Sequence, residues 1–406
     1  MKKFTLGFAA LLLALILFVT RPWSDYPILG MLGTFDAETR AENFRNMDDV
    51  YPHIIVPASD APMPFVDHPI PLNLRYRFQG QDHSVDEFLA RTESTSLLVI
   101  KDGKLLHEEY LNGAGRDSRF TSWSVAKSFV STLIGMARDE GLIKSVEDSV
   151  STYMPELKGT AYGNARVRDV LQMSSGVDFS ESYGSTGGNT ALAFSSVQRM
   201  LYKGWILGMS LDEQLAGYDQ IEEPGTRFYY RSSDTHLLSA LLRRIYDKPF
   251  EDLLAERIWQ PLGMESFASW STAAGQPIGF CCLNATARDY AKLGQLFLSD
   301  GNWHGTQLVS RDWVREATVP SHDHVQPANV YGHRGYQYQW WVPKDYDGEF
   351  FANGIWGQVI WVSRANGVVI VRTATDPRFR ENTPEMIAVM RAIAREASGA
   401  ENQAAQ

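Results

Sequence analysis

An α+β fold is predicted for this chain. Strand signals cluster near its two ends, helical periodicity fills its middle, and two hairpin turns mark the sheet. The economical arrangement is one antiparallel sheet built from both chain ends, with flanking helices and an inserted helical lobe. With 406 residues, 44% of them hydrophobic, the chain can bury one large core or two intimate ones.

Met1-Lys2-Lys3 gives a positive flank, and Phe4 to Val19 carries no charge. That pattern is a secretory h-region or a short membrane anchor. No small-x-small cleavage site follows in Thr20-Arg21-Pro22-Trp23, so residues 1–23 are expected to be an uncleaved anchor, with a cleaved signal as the alternative. Lys2 and Lys3 would stay inside. The rest would be exported, anchored in the inner (plasma) membrane and facing the periplasm or exterior. Residues 24–84 hold six prolines between Pro52 and Pro71 and show little periodicity, so an extended arm is expected there.

The globular domain is expected over 85–397, with a polar tail over 398–406. Ser96–Ile100 and Leu105–Tyr110 flank the turn Lys101-Asp102-Gly103-Lys104, a hairpin signal. Residues 144–270 read as helical and loop-rich, interrupted by a Gly/Ser-rich loop from Ser182 to Asn189. Trp205, Tyr183 and Asp178 fall in this lobe near the expected cleft. Packing suits Trp205 and solvent suits Asp178, and none of the three is assigned to catalysis. Strands return at Tyr336–Val342, Gln358–Ser363 and Val368–Thr373, with Asn366-Gly367 as the turn between the last two. Pro384 opens an amphipathic helix to about Ala397.

A net charge of −10 provides no basic field to neutralise phosphates, which argues against nucleic acid. No phosphate loop or dinucleotide fingerprint occurs. His322-Asp323-His324 lacks a third placed ligand, so no metal is expected. Cys281 and Cys282 are adjacent; because a bridge between neighbours is sterically awkward, two buried thiols are expected. No protein partner is implied.

Chemistry concentrates at Ser124-Val125-Ala126-Lys127. Val125, Phe129, Val130, Leu133 and Ile134 recur at helical spacing toward Gly141, so Ser124 and Lys127 share one face near a helix start. A serine hydroxyl needs a neighbouring base, and a partly buried lysine with a lowered pKa can be that base. Alone, Ser-x-x-Lys is more often a solvated helix face.

Two further elements supply partners. Tyr229-Tyr230-Arg231-Ser232 precedes a helix. A tyrosine near an ammonium can be, or transiently become, a phenolate that relays the serine proton, although paired tyrosines are usually core aromatics. Ala352-Asn353-Gly354-Ile355-Trp356-Gly357-Gln358 enters a strand, and its glycines allow the backbone close to a ligand. The N–H groups of Ser124 and Ile355 would then form an oxyanion hole, with Ser232 and Gly354 binding substrate.

Ser-x-x-Lys, Tyr-x-Ser and a glycine-marked strand, in this order, resemble the serine β-lactamase and penicillin-binding-protein superfamily. The detailed likeness is to its class C-related hydrolase and esterase branch, which includes 6-aminohexanoate-dimer hydrolases. Val167–Gly176, Pro224–Phe228 and Ala285–Gly294 support it. The resemblance implies a β-lactamase/transpeptidase-like fold, with Ser124 as nucleophile and Lys127 and Tyr230 as proton relay. Ala352 and Asn353 stand where lactamases and peptidases carry a basic residue before the glycine. That substitution disfavours lactamase or D,D-carboxypeptidase activity. The expected activity is therefore cofactor-free acyl-enzyme hydrolysis of a small-molecule ester or linear amide. The competing expectation is a penicillin-binding or cell-wall peptide sensor, or a weak lactamase or peptidase, with slow turnover.

Overall fold

The computed structural model describes residues 2–181 and 195–404. The expected Ser182–Asn189 loop, with Tyr183, lies outside them. An eight-stranded sheet runs in the order Arg334–Gln337, Trp340–Pro343, Glu349–Gly354, Gln358–Ser363, Val368–Ala374, Ser94–Lys101, Lys104–Tyr110 and Val66–Asp67. Its pairs are antiparallel except the last, where Val66–Asp67 lies parallel to its neighbour. The two chain ends meet at its centre, where Val369 pairs with Ile100 and Val371 with Leu98. This is the sheet the end-clustered strand signals imply.

Side-chain alternation covers both faces. Leu98 and Ile100 join the core that includes the Ala126–Asp139 helix, while Leu97 and Val99 face Met386, Met390 and Ile393 of the Thr383–Ala404 helix. That C-terminal helix extends beyond the expected end near Ala397. Gly294 allows the Ala287–Leu298 helix to lie flat on the sheet, since an added Cβ would stand 2.6 Å from Val369.

A second antiparallel sheet orders His53–Val56, Ala268–Ala273, Leu283–Thr286 and Arg119–Thr121, with Gln276–Pro277 paired to the second of these. It was not anticipated, because its strands are short and scattered along the chain. Its importance is positional: Arg119–Thr121 leads directly into Ser124, and Leu283–Thr286 begins just after Cys282.

Several expectations are corrected. Residues 24–84 are not extended throughout: helices form at Ile28–Gly33, Arg40–Asn43 and Met47–Val50, and His53–Val56 pairs with Ala268–Ala273. Apolar residues such as Ile28, Met31, Phe44 and Met47, and Val56 and Phe65 within the proline-rich part, bury themselves in the main core and hold the segment against the domain. The expected strand Tyr336–Val342 is a hairpin, reversed at Tyr338 and Gln339 by positive φ angles of 33° and 68°. Cys281 and Cys282 form a disulfide rather than two thiols. The chain turns at Cys282 (φ 70°), which overcomes the steric objection to pairing neighbours. The N-terminal run is helical from Lys2 to Thr20. Among the described residues, however, no helix is long and apolar enough to cross a membrane, so the spanning anchor lacks support. Nineteen residues rise roughly 28 Å at 1.5 Å each, just short of a roughly 30 Å hydrocarbon layer.

Candidate active site

Ser124 lies in the 3-10 turn Trp123–Val125, which runs into the Ala126–Asp139 helix. One contact and one backbone conformation mark this turn. Ser122 N–H donates to Leu283 O at 2.7 Å. Trp123 takes a left-handed φ of 43°, a sparsely populated conformation for an aromatic residue that surrounding contacts must hold. The hydroxyl therefore sits at the positive end of a helix, where developing negative charge is favoured.

Lys127 is fully buried one turn on. Its Nζ lies 3.1 Å from Ser124 Oγ, 3.1 Å from Ser232 Oγ and 2.7 Å from the Phe280 carbonyl. Ser232 Oγ donates to Glu181 at 2.7 Å, so toward Lys127 it accepts. The Phe280 carbonyl can only accept. A neutral amine has two N–H donors and one lone pair; with both donors engaged by Phe280 and Ser232, the lone pair is left for the Ser124 hydroxyl. Burial depresses the lysine to about 8, with the Glu181 charge opposing the shift, so roughly a tenth of it is neutral at pH 7 and most of it above pH 8.

Tyr230 arrives from the other side. Gly225 N–H donates to Ser174 O at 2.8 Å and Tyr229 N–H to Met173 O at 2.9 Å, tying two of the sequence motifs together just before Tyr230. Its ring stacks on Trp341 with centroids 5.7 Å apart, and Lys127 Nζ lies 5.1 Å from the ring centroid. Burial, reinforced by the Glu181 charge, holds its hydroxyl well above the usual tyrosine range, against a hydrogen bond with Ser124. A resting phenolate is thereby disfavoured. Tyr230 is a neutral hydroxyl able to pass a proton, and Lys127 is the group able to act as a base.

Gly354 ends its strand against the Ser124 turn; an added Cβ there would stand 2.5 Å from Ser122 O. Ile355 follows in a short turn, with Trp356 at a φ of 63°. The structure thus groups Ser124, Lys127, Tyr230 and Ser232, and brings the Gly354–Ile355 segment beside them. It engages the Ser232 hydroxyl with Lys127 and Glu181. The segment His322–His324 turns both imidazoles to Gln172.

Two groups escaped the sequence reading. Glu181, which also accepts from Ser232 N–H at 2.7 Å, lies in a stretch without a motif. The Phe280 carbonyl is a backbone group, invisible in residue type.

Residues 82–395 match the Beta-lactamase family model. The chain belongs to this family. Over 304 residues it is 27% identical to the 6-aminohexanoate-dimer hydrolase of Paenarthrobacter ureafaciens, covering 72% of this chain and 75% of that protein. Its fold is similar to a putative 6-aminohexanoate-dimer hydrolase from Bacillus anthracis, with a TM-score of 0.79 at 23% identity over 91% of this chain and 96% of that one. A family VIII carboxylesterase shares the fold at a TM-score of 0.57 and 16% identity, over 77% and 96% of the two chains. The Beta-lactamase family assignment and the curated relative make the chain a hydrolase of the amidase and esterase type, with the β-lactamase/transpeptidase-like architecture the sequence implied.

Proposed function

We propose that this protein hydrolyses an ester or linear amide through an acyl-enzyme on Ser124. The observation that carries this reading is the buried Lys127, whose two N–H groups are engaged elsewhere and whose lone pair is left for the Ser124 hydroxyl. Ser124 Oγ attacks the carbonyl while Lys127 takes its proton. The N–H groups of Ser124 and Ile355 hold the oxyanion. Tyr230 delivers the proton to the leaving group, and water, activated by the same pair, releases the acid.

The test is turnover of p-nitrophenyl esters with mass spectrometry of the intact protein. An acyl mass on wild type and none on Ser124→Ala is expected, with turnover lost in the variant. Equal turnover by both proteins would overturn the assignment. A stable adduct with labelled penicillin, without ester turnover, would replace it with the penicillin-binding reading.

Export is proposed on a separate observation. Leu11, Leu12, Leu13, Leu15 and Phe18 of the N-terminal helix are exposed apolar side chains, which suits a lipid-facing or signal segment better than water. Recovery of the untagged protein in the cytosolic fraction, full length, would contradict this.

A further inference from the structure

Arg334 opens the edge strand Arg334–Gln337, and only 7% of its surface is exposed. A buried guanidinium ordinarily has a carboxylate partner, because an unpaired charge out of water is costly. Buried Arg40 and Arg288 follow that rule, pairing with Glu93 and Glu108. Among the described residues buried Arg372 has no ion pair but donates through all three nitrogens, to Ser94, Gly357 and Thr92.

Arg334 does neither. Among the described residues it has no ion pair, and its Nε has no hydrogen-bond partner. Its one side-chain hydrogen bond is to a neutral group: with the Asn353 amide oriented so that its nitrogen donates to Gln358 O, the Asn353 oxygen accepts from Nη1 at 2.8 Å. The titratable groups around it are Tyr230, Tyr331, Tyr336, the adjacent His333 and a second cation, Arg380. Desolvation lowers its pKa to about 10, which still leaves it charged at neutral pH.

Its position is as informative as its pairing. The guanidinium carbon lies 3.9 Å from the Trp341 ring centroid, and that same ring stacks on Tyr230. Asn353, which it bonds, immediately precedes Gly354 at the Ser124 turn. One aromatic ring therefore carries both the proton-transfer hydroxyl and the unpaired cation. Glu181, the carboxylate whose charge reaches Tyr230, is held by Ser232 on the Ser232–Tyr246 helix. Arg334 stands on the sheet instead.

We propose that Arg334 forms an anion subsite beside the acylation centre, so that the preferred ester or amide carries a carboxylate at the end lying toward Asn353. The planar guanidinium suits a carboxylate, which two parallel N–H groups can grip. This specificity rests on the serine hydrolase reading above. It revises the sequence-level expectation: the strand bearing Gly354 lacks a cation, but the edge strand supplies one from two strands away.

The experiment compares two esters of one length: the mono-p-nitrophenyl ester of glutaric acid, with a free carboxylate, and its methyl-capped counterpart. Wild type should prefer the free carboxylate by roughly tenfold to hundredfold in kcat/KM, the range for hydrogen bonds to a charged group. In Arg334→Gln that ratio should collapse toward one, and in Arg334→Lys it should be partly restored. An equal rate for both esters in wild type would overturn the subsite and needs no variant. So would a ratio unchanged in Arg334→Gln while both rates fall, which marks a purely structural role. Turnover retained by Ser124→Ala would instead overturn the hydrolase reading beneath it.

Discussion

Lys127 approaches the Phe280 carbonyl more closely, at 2.7 Å, than it approaches the Ser124 hydroxyl, at 3.1 Å. The carbonyl and Ser232 together orient the amine, so that deprotonation exposes the lone pair toward Ser124. In the ammonium form a third N–H points there and no base exists. Lys127 sits at about 8, so kcat/KM for a neutral ester should rise with pH and level off above that value. The Glu181 charge favours the ammonium and raises this pKa. Glu181→Gln should therefore move the inflection to lower pH, and a pH–rate profile of both proteins checks the sign. A shift upward would contradict the assignment of the base.

Removing Lys127 or its partner Ser232 should hurt unequally under the proposed mechanism. Lys127→Ala deletes the proton acceptor and should cost about 10²- to 10⁴-fold in kcat, the usual yield of positioned acid–base catalysis. Ser232→Ala keeps the amine but releases one of its two N–H groups, so the lone pair is oriented only by Phe280. Its loss should be smaller, on the order of tenfold, and should fall on kcat rather than KM. Stopped-flow acylation of both variants distinguishes the two.

The grouping of these candidate residues was legible because their chemistry is written in residue types. Ser124, Lys127, Tyr230 and Gly354 announce themselves by spacing within local elements, and the central sheet followed from hairpin turns at both chain ends. What was hidden depends on chain crossings. Phe280 O acts through its backbone, Glu181 through a loop, and Arg334 through a strand whose hairpin partner was misread as its continuation. The Ile28–Val50 helices were hidden for another reason. Each is only four to six residues long, stabilised by burial rather than by a repeating pattern.

Gly354 should not tolerate a side chain. A Cβ at this position would lie 2.5 Å from Ser122 O and 3.1 Å from the Gln358 Cβ, and a backbone oxygen cannot rotate away. Gly354→Ala should cost about 1–3 kcal/mol, as overpacking does. It should also push the strand end away from the Ser124 turn, lowering kcat more than stability alone predicts. A modest drop in Tm with a disproportionate loss of acylation rate is the expected pair of readings. Wild-type kinetics would show that the strand end takes no part in acylation.

The Cys281–Cys282 disulfide follows Phe280 directly, so the bond stiffens the segment that presents the carbonyl to Lys127. The segment is pinned on both sides: Cys281 N–H donates to Ile278 O at 3.1 Å, and Ser271 N–H donates to Cys282 O at 3.1 Å. Behind it, His236 accepts from Gly279 N–H at 3.4 Å and bonds Asp212 at 3.0 Å. Opening the disulfide removes one constraint on the carbonyl without removing the carbonyl itself. The double variant Cys281→Ser/Cys282→Ser should therefore fold, retain Ser124 acylation, and lose several-fold in kcat. With the carbonyl less firmly held, the ammonium form loses an acceptor, so the pH–rate inflection should fall below that of wild type. Wild type treated with dithiothreitol should reproduce both changes, whereas the variant should not respond. Identical profiles for reduced and oxidised wild type would show that the carbonyl is held by the surrounding hydrogen bonds alone.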